Sequence, residues 1–503
     1  MNRFGRPLRW LDPPGSRDRV LYTGPLARDG RDLVLHVGHD GWSEPVDVPM
    51  ERLGPDSWVA SVPTAGRLTL ECVVRSAGRC DNNHDADYRL WTALDPVDAH
   101  VHARAPGAGQ LGFDSLVTAA RSGGMTHAVV SWGDNDFVEI AAAAAPWLTR
   151  LVWVRPFGPD PDAVRRELAA GAAGLKLHPA YDNFPADTEA LDPYLTVAAE
   201  MRVPVTVHSA PGLADPDRIA RLAARFPTVQ FVLYHTFLGP PEGRRRAAKH
   251  AVRLPNLHLE TSWCASREVE RLLDTLGPAR VLFGSDAATD GPTHFVRRPP
   301  NIELTENYNN SLLRLARRLP GTTFRAFLED NARTLFSLPT PPYDPSPARL
   351  RALLTTALDT HRRLIARLEP RDLDRPTPCP GWNVRTLLGH ILGVVRGTGP
   401  ASVTLASLGR DFDAAAGASR LASTALSALV LDLTAHAWDL GRALDDQTPL
   451  NADLSTAALQ IATRLVPPEL RDGLTYGPPV PAPPDAGPST RLAAYLGRKI
   501  ASR

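Results

Sequence analysis

The chain has 503 residues, enough for two to four domains. Its 56 Lys and Arg nearly balance 55 Asp and Glu, giving a net charge of +1, so no electrostatic argument favours nucleic acid or an anionic membrane. Four cysteines are too few and too scattered for a disulfide scaffold or a cysteine zinc site; no run has the apolar length of a signal peptide or membrane span, and a cytoplasmic protein is expected.

Residues 1–95 read as β-structure: short alternating runs (Leu33–Val37, Trp58–Val62, Leu68–Val74) separated by Gly, Pro and Asp turns, the pattern of a small β-sandwich. Residues 96–340 alternate strand-like and helix-like runs, with strand ends near His102, Trp132, Pro156, His178, His208, His235, Thr261 and Asp286. Eight β-then-α units at this rhythm predict a (β/α)8 barrel of the TIM type. A Pro-rich linker at 341–347 follows. From 348 to 503 the pattern is helical, over Leu350–Leu368, Asn383–Val395, Ser419–Leu444 and Ala452–Leu465, and predicts a helical bundle. The Ala, Arg, Pro, Leu and Asp bias matches a GC-rich coding genome and points to an actinobacterial source.

Asp98-Ala-His-Val-His102 puts two histidines at i and i+2 on one strand face, where both can reach one metal ion. An isolated pair of this kind is commonly only solvated or structural. The other strand ends strengthen it, because in a barrel they converge on one mouth. They supply Lys176, His178, His208, His235, Glu260 and Asp286. Three imidazoles and a carboxylate suit Zn2+ or a similar divalent ion with a position left for water. Such an ion lowers the pKa of bound water to about 7, and a neighbouring carboxylate can move the proton.

These residues carry a resemblance. Asp98–His102, Gly174-Leu-Lys-Leu-His-Pro179, Val203–His208, Phe231–His235, Leu282-Phe-Gly-Ser-Asp286 and Asn331–Phe336 occur in order. The stretch 97–340 resembles the amidohydrolase superfamily, in its amidohydrolase-2 branch, which contains decarboxylases and lactonases. The resemblance implies His100, His102, His208 and Asp286 as metal ligands. It also implies Asp286 as general base, His235 as the residue orienting water or substrate, and His178 and Lys176 in the substrate pocket. Lys176 as a carboxylated bridging ligand is the alternative for that residue. Glu260 reads either as a substrate contact or as a residue that simply caps a strand or pairs with an arginine. His127, His250, His258 and His294 receive no role.

Near the N-terminus, His36–Trp42, Asp56–Trp58 and Cys80–Tyr88 resemble starch-binding carbohydrate modules of the CBM25/CBM53 type. There Trp42 and Trp58 would stack on sugar rings of a glucan. The family has Trp where this chain has Cys80, and burial of both tryptophans in a β-sandwich core is the competing reading. Farther on, Arg375–His390 and Asp432–Arg442 resemble the N-terminal domain of mycothiol-dependent maleylpyruvate isomerases, which are DinB-like four-helix bundles. Asn383 reads as an N-cap two turns before His390. Asp432 and His436 are i and i+4 on one helical face. The resemblance implies a second divalent metal on His390, Asp432 and His436, open to the thiol of mycothiol. The connecting segment is shorter than usual and the isomerases' second domain is missing, so isomerase activity itself is not expected.

The leading expectation is a metal-dependent hydrolase in which metal-bound hydroxide attacks an amide, lactone or cyclic ester of a small molecule. Non-oxidative decarboxylation of an aromatic or muconate-like acid on the same barrel is the alternative chemistry. A thiol-dependent isomerase or transferase on the helical domain, and a non-catalytic carbohydrate-binding scaffold, are readings of other classes. Substrate choice would rest with the loops 103–112 and 286–301, including Arg297 and Arg298. Oligomeric state is left open.

Overall fold

The computed structural model describes residues 4–12, 14, 17–104, 112–287, 310–339, 347–397, 401–418, 423–446, 448–466, 471, 476–483 and 486–500. Most of the two loops expected to set specificity lie outside the described residues, with Arg297, Arg298, His294 and the Pro-rich segment 340–346.

The N-terminal region forms two antiparallel sheets. One runs Leu8–Trp10, Arg19–Tyr22, Ser57–Ser61, Glu51–Gly54; the other runs Ser43–Pro49, Val34–His39, Thr69–Ser76, Arg79–Asp81, and Tyr88–Trp91 also pairs with Thr69–Ser76. Alternation sends Val20, Tyr22, Trp58 and Ala60 from one sheet, and Leu35, Val37, Leu70, Cys72 and Val74 from the other, into one core. Trp58 is therefore no sugar platform: it is buried in that core and its indole N–H donates to the Ala27 carbonyl at 2.8 Å. Trp42 is half-buried on the surface, its N–H 3.1 Å from Asp87 Oδ2. Cys72 and Cys80 are both free thiols.

Eight parallel strands follow: Val97–Val101, His127–Val130, Leu148–Arg150 continued by Val152–Trp153, Leu175–Leu177, Val205–His208, Phe231–Tyr234, Leu257–Glu260 and Val281–Leu282. The ring closes beyond the last ladder. Ala99 N donates to Phe283 O at 3.0 Å, Asp286 N to His100 O at 2.9 Å, and Val101 bridges Ala287 in parallel. The strands are buried on both faces, as a parallel sheet wrapped by helices requires. Helices at Phe113–Gly123, Asn135–Ala144, Pro161–Ala169, Asp192–Met201, Pro216–Arg225, Pro241–Arg253 and Ser266–Leu276 lie between them. Three of them start at a capping aspartate: Asp134, Asp160 and Asp215 each accept a backbone N–H of the first turn.

In the C-terminal region the described helices are Pro347–Ile365, Val384–Arg396, Leu405–Ala418, Ser423–Ala443, Ala452–Leu465 and the short Pro488–Tyr495. Apolar periodicity located four of these. Leu405–Ala418 (LASLGRDFDAAAGA) escaped because Ala, Gly and Asp dilute its apolar stripe; it buries Leu408 and Phe412 in the shared core. Asn383 is an N-cap as read, its side chain accepting from Thr386 N at 2.9 Å. No helix among the described residues is long and apolar enough to cross a membrane.

Candidate active site and a second donor cluster

The first barrel strand carries a bulge between Asp98 and Val101 and presents His100 and His102 to the axis. Their Nε2 atoms lie 3.2 Å apart, and Asp286 Oδ1 sits 3.4 Å from the first and 3.0 Å from the second. The opposite nitrogen of each ring is committed. His100 Nδ1 is 3.0 Å from a Glu260 oxygen, and His102 Nδ1 is 2.7 Å from the Ser131 carbonyl. The Ser131 carbonyl accepts only, so His102 Nδ1 carries the proton, and Glu260 in its ionised form does the same for His100, which leaves both Nε2 atoms of the neutral rings with lone pairs facing Asp286.

His235 joins them: His100, His235 and Asp286 each offer a donor atom within 4.8 Å of the others. His235 Nε2 is 3.2 Å from His208 Nδ1, and its Nδ1 is 2.8 Å from Ser262 Oγ. His208 stacks on His178 at 3.9 Å, which in turn stacks on Trp153 at 5.4 Å. His178 thus stands in an aromatic wall with Trp132, Trp153 and Tyr181, its Nδ1 accepting from Tyr181 N. Lys176 is fully buried among these groups, with Nζ 3.8 Å above the Tyr234 ring and no hydrogen-bond acceptor among the described residues.

Burial drives the titration of the cluster. It holds His100 and His208 well below the usual imidazole value, His178 at about 2 and His235 at about 4, the positive Lys176 adding to the effect on each. Lys176 is itself lowered to about 7 by burial, although Asp286 and Glu260 pull the other way. Burial would raise the Asp286 carboxyl, but the neighbouring His102 and His235 imidazoles and the Trp263 N–H leave it well below the carboxylate range. Neutral imidazole lone pairs around a buried carboxylate are the donor chemistry a divalent cation needs, so the residues present fit such an ion.

Backbone strain marks the same place. His235, Thr236, Trp263 and Asp286 all have left-handed φ, at 65, 55, 63 and 60°. These residues follow or end strands, and the reversal turns their side chains in toward the axis. Trp263 N–H then donates to Asp286 Oδ2 at 2.7 Å. Asp98 is a brace, accepting from His100 N at 3.1 Å and from Ser285 N at 3.0 Å to tie the first strand to the eighth.

A second cluster lies in the helical region. His390, on Val384–Arg396, brings Nε2 to 3.3 Å from Asp432, and His436 Nε2 is 3.5 Å from the same carboxylate. The three donors lie within 4.8 Å of one another. Burial would raise Asp432, but bonds to the two imidazoles hold it far below the usual range. Burial works against a charged His436, yet Asp432 and Asp439 hold its pKa well above normal.

Residues 92–338 match the model of the amidohydrolase family. The barrel is an enzyme domain of the amidohydrolase type. Residues 354–494 match the mycothiol maleylpyruvate isomerase N-terminal domain. The chain is similar to an uncharacterized protein of Mycobacterium tuberculosis (strain ATCC 25618 / H37Rv), 26% identical over 172 residues, covering 29% of this chain and 94% of that one. Among solved structures it is similar to a probable 2-pyrone-4,6-dicarboxylic acid hydrolase from Acinetobacter baumannii (13% identity, 49% of this chain and 100% of that chain, TM-score 0.38). It is also similar to a 5-carboxyvanillate decarboxylase from Novosphingobium aromaticivorans (16% identity, 44% and 79%, TM-score 0.35).

Within the amidohydrolase barrel, the structure brings together His100, His102, His235 and Asp286, with His208 beside His235 and His178 in the wall next to it. Glu260 is wholly buried behind His100, where it caps the strand end: it accepts from His100 Nδ1, from His235 N at 2.9 Å, and from Ser262 N and Oγ. Burial pushes its carboxyl up to about 8, against the pull of the three Ser262 and His235 donors. Sequence reasoning missed Trp263, Ser131 and Ser262, whose partners lie 23 to 29 residues away in the chain. In the helical region it missed Cys379, Asp439 and Arg498, although the first two stand inside the quoted motifs.

Proposed function

We propose that the amidohydrolase barrel is a metal-dependent hydrolase that cleaves an amide, lactone or cyclic ester of a small molecule, with the division of the chain near 95 and 340 read from the sequence. The single observation that carries this is the convergence of His100 Nε2, His102 Nε2 and Asp286 Oδ1, with both tautomers fixed from behind. His100, His102, His208 and Asp286 would hold a divalent ion such as Zn2+, with His235 at its edge. When bound, the ion supplies a Lewis acid and acidifies a water molecule. Asp286 receives the proton at the carboxylate and returns it to the leaving group. The His235 ring, held at Nδ1 by Ser262 Oγ, directs Nε2 at the reacting oxygen. The Trp132, Trp153, His178 and Tyr181 wall limits water beside the substrate.

The test is metal content of the full chain beside His208→Ala, with a panel of lactones, amides and aromatic acids assayed in 18O-labelled water. Loss of about one equivalent of metal in the variant and 18O incorporation into product are expected. Retained metal would sink the reading. CO2 release without 18O incorporation would replace hydrolysis by decarboxylation on the same residues.

A second reading concerns the helical region, favoured by the His390, Asp432 and His436 donors and the match over 354–494. These residues would hold a second divalent ion with positions open to a low-molecular-weight thiol such as mycothiol. An equivalent of metal lost in His390→Ala but kept in His208→Ala is the expected sign.

A further inference from the structure

His436 belongs to two donor sets at once. Its Nε2 faces His390 and Asp432, while its Nδ1 faces Asp439 at 3.0 Å and Cys379 Sγ at 3.9 Å. Cys379, His436 and Asp439 form a buried thiol–imidazole–carboxylate group within 4.8 Å, as competent for a soft divalent ion as the other set. One imidazole serves a metal best when its remote nitrogen keeps a proton, so something must decide which side that is.

Arg498 decides it. The guanidinium grips Asp439 with two bonds, Nε to Oδ1 and Nη2 to Oδ2, both 3.0 Å, and Nη2 lies 3.6 Å from Cys379 Sγ. Asp439 is fully enclosed and Arg498 is 8% exposed, so removing the guanidinium would leave a buried carboxylate uncompensated, a far larger change than breaking a surface ion pair. Backbone geometry holds the arginine there. Gly497, at φ 80°, packs so closely on Gly477 that an added Cβ would come within 2.7 Å of Gly477 Cα, and Arg498 N donates to Ala493 O at 2.9 Å. The guanidinium therefore already neutralises the carboxylate of the thiol set and stands against its sulfur. With its charge balanced, Asp439 accepts from His436 Nδ1 and from the Cys379 thiol, which stands 3.1 Å from Oδ2.

We propose that Arg498 is a built-in cation for Asp439: it keeps divalent metal out of the Cys379–His436–Asp439 set and positions His436 so that Nδ1 keeps its proton and Nε2 is the nitrogen left for a cation beside His390 and Asp432. The second half of this rests on the reading of those three residues as a metal site; the first half does not.

Cobalt(II) added to the full-length protein reads the two halves separately, because thiolate ligation alone gives an intense near-ultraviolet sulfur-to-cobalt band. The wild type is expected to lack that band. Arg498→Met, and Arg498→Gln as a second uncharged variant, should gain it together with about one further cobalt equivalent. Arg498→Met combined with Cys379→Ser should lose it, and Arg498→Lys should behave as wild type. A sulfur band in the wild type overturns the proposal on unaltered protein. So does its absence from whichever uncharged variant retains the wild-type circular dichroism, and so does loss of fold in both uncharged variants while Arg498→Lys also shows the band. His390→Ala monitors the other reading: cobalt retained there, with the band still appearing in Arg498→Met, would remove the His390 site and leave Arg498 in its role.

Discussion

The direction in which each histidine points its lone pair is set by what stands behind it, and in the barrel the two leading histidines are set differently. His102 leans on a main-chain carbonyl, Ser131 O, which no substitution removes. His100 leans on Glu260, a side chain that accepts from two main-chain N–H groups, one hydroxyl and one imidazole. Glu260→Gln keeps the shape but turns one acceptor into a donor, which then faces a donor of His235 or Ser262. The ring of His100 loses its anchor or the strand-end turn loses a bond. Removing such a support typically costs about 10–100-fold in metal affinity. A chelator-competition titration of Glu260→Gln should show a loss of that order with the circular dichroism unchanged, and unchanged affinity would mean that Glu260 does not orient His100. Gly284 sits on the same joint: an added Cβ would press on the Glu260 carboxylate and stand 2.8 Å from His100 Cβ, so Gly284→Ala should lower metal affinity in the same titration.

Elements explain which of these features could be read in advance. Strand ends were legible because the period of two and the turn residues after each run fix both face and terminus, and His100, His102, His208, His235 and Asp286 all fall there. Asn383 was legible as a cap because it precedes an apolar run by one residue, and it carries a prediction. Its side chain accepts from Thr386 N at 2.9 Å at the start of the helix that bears His390. Asn383→Ala should cost about 1 kcal/mol in urea denaturation followed on the helical region, with the barrel's metal content unaffected; a change below a few tenths would deny the cap its role. What stayed illegible depends on contacts between elements. Glu260 reads as an ordinary strand-end acid until His100, 160 residues earlier, is seen against it. Arg498 looks like one basic residue among many at the end of the chain, and only the packing of Gly497 on Gly477 delivers it to Asp439. Trp58 could not be assigned to core or surface because both sheet faces of that strand are enclosed.

Across the whole molecule, acid should loosen the fold through buried histidines that are not among the proposed metal ligands. His127, in the barrel, is buried with Nε2 2.7 Å from Thr149 Oγ1, and burial lowers its pKa to about 3. His361, in the helical region, is fully buried with Nε2 2.9 Å from Leu433 O, and burial lowers it to about 4 against the pull of that carbonyl. In the unfolded chain both titrate near about 6.5. Between the two values the unfolded state binds a proton that the folded state refuses, so stability rises with pH there and falls on acidification. Nothing is lost above about pH 7, where both states are neutral. The window runs from about 6.5 down to about 4 for His361 and about 3 for His127, each contributing a slope of up to about 1.4 kcal/mol per pH unit. Glutamine at 361 keeps a donor for the Leu433 carbonyl and cannot titrate. His361→Gln should therefore lose less stability than the wild type between pH 7 and pH 5 when urea unfolding of the helical region is compared at the two values. His127→Gln should do the same for the barrel alone, because the two histidines lie in separate cores. An equal loss in variant and wild type would mean that these histidines are protonated in the folded protein, and that its response to acid comes from the metal donors instead.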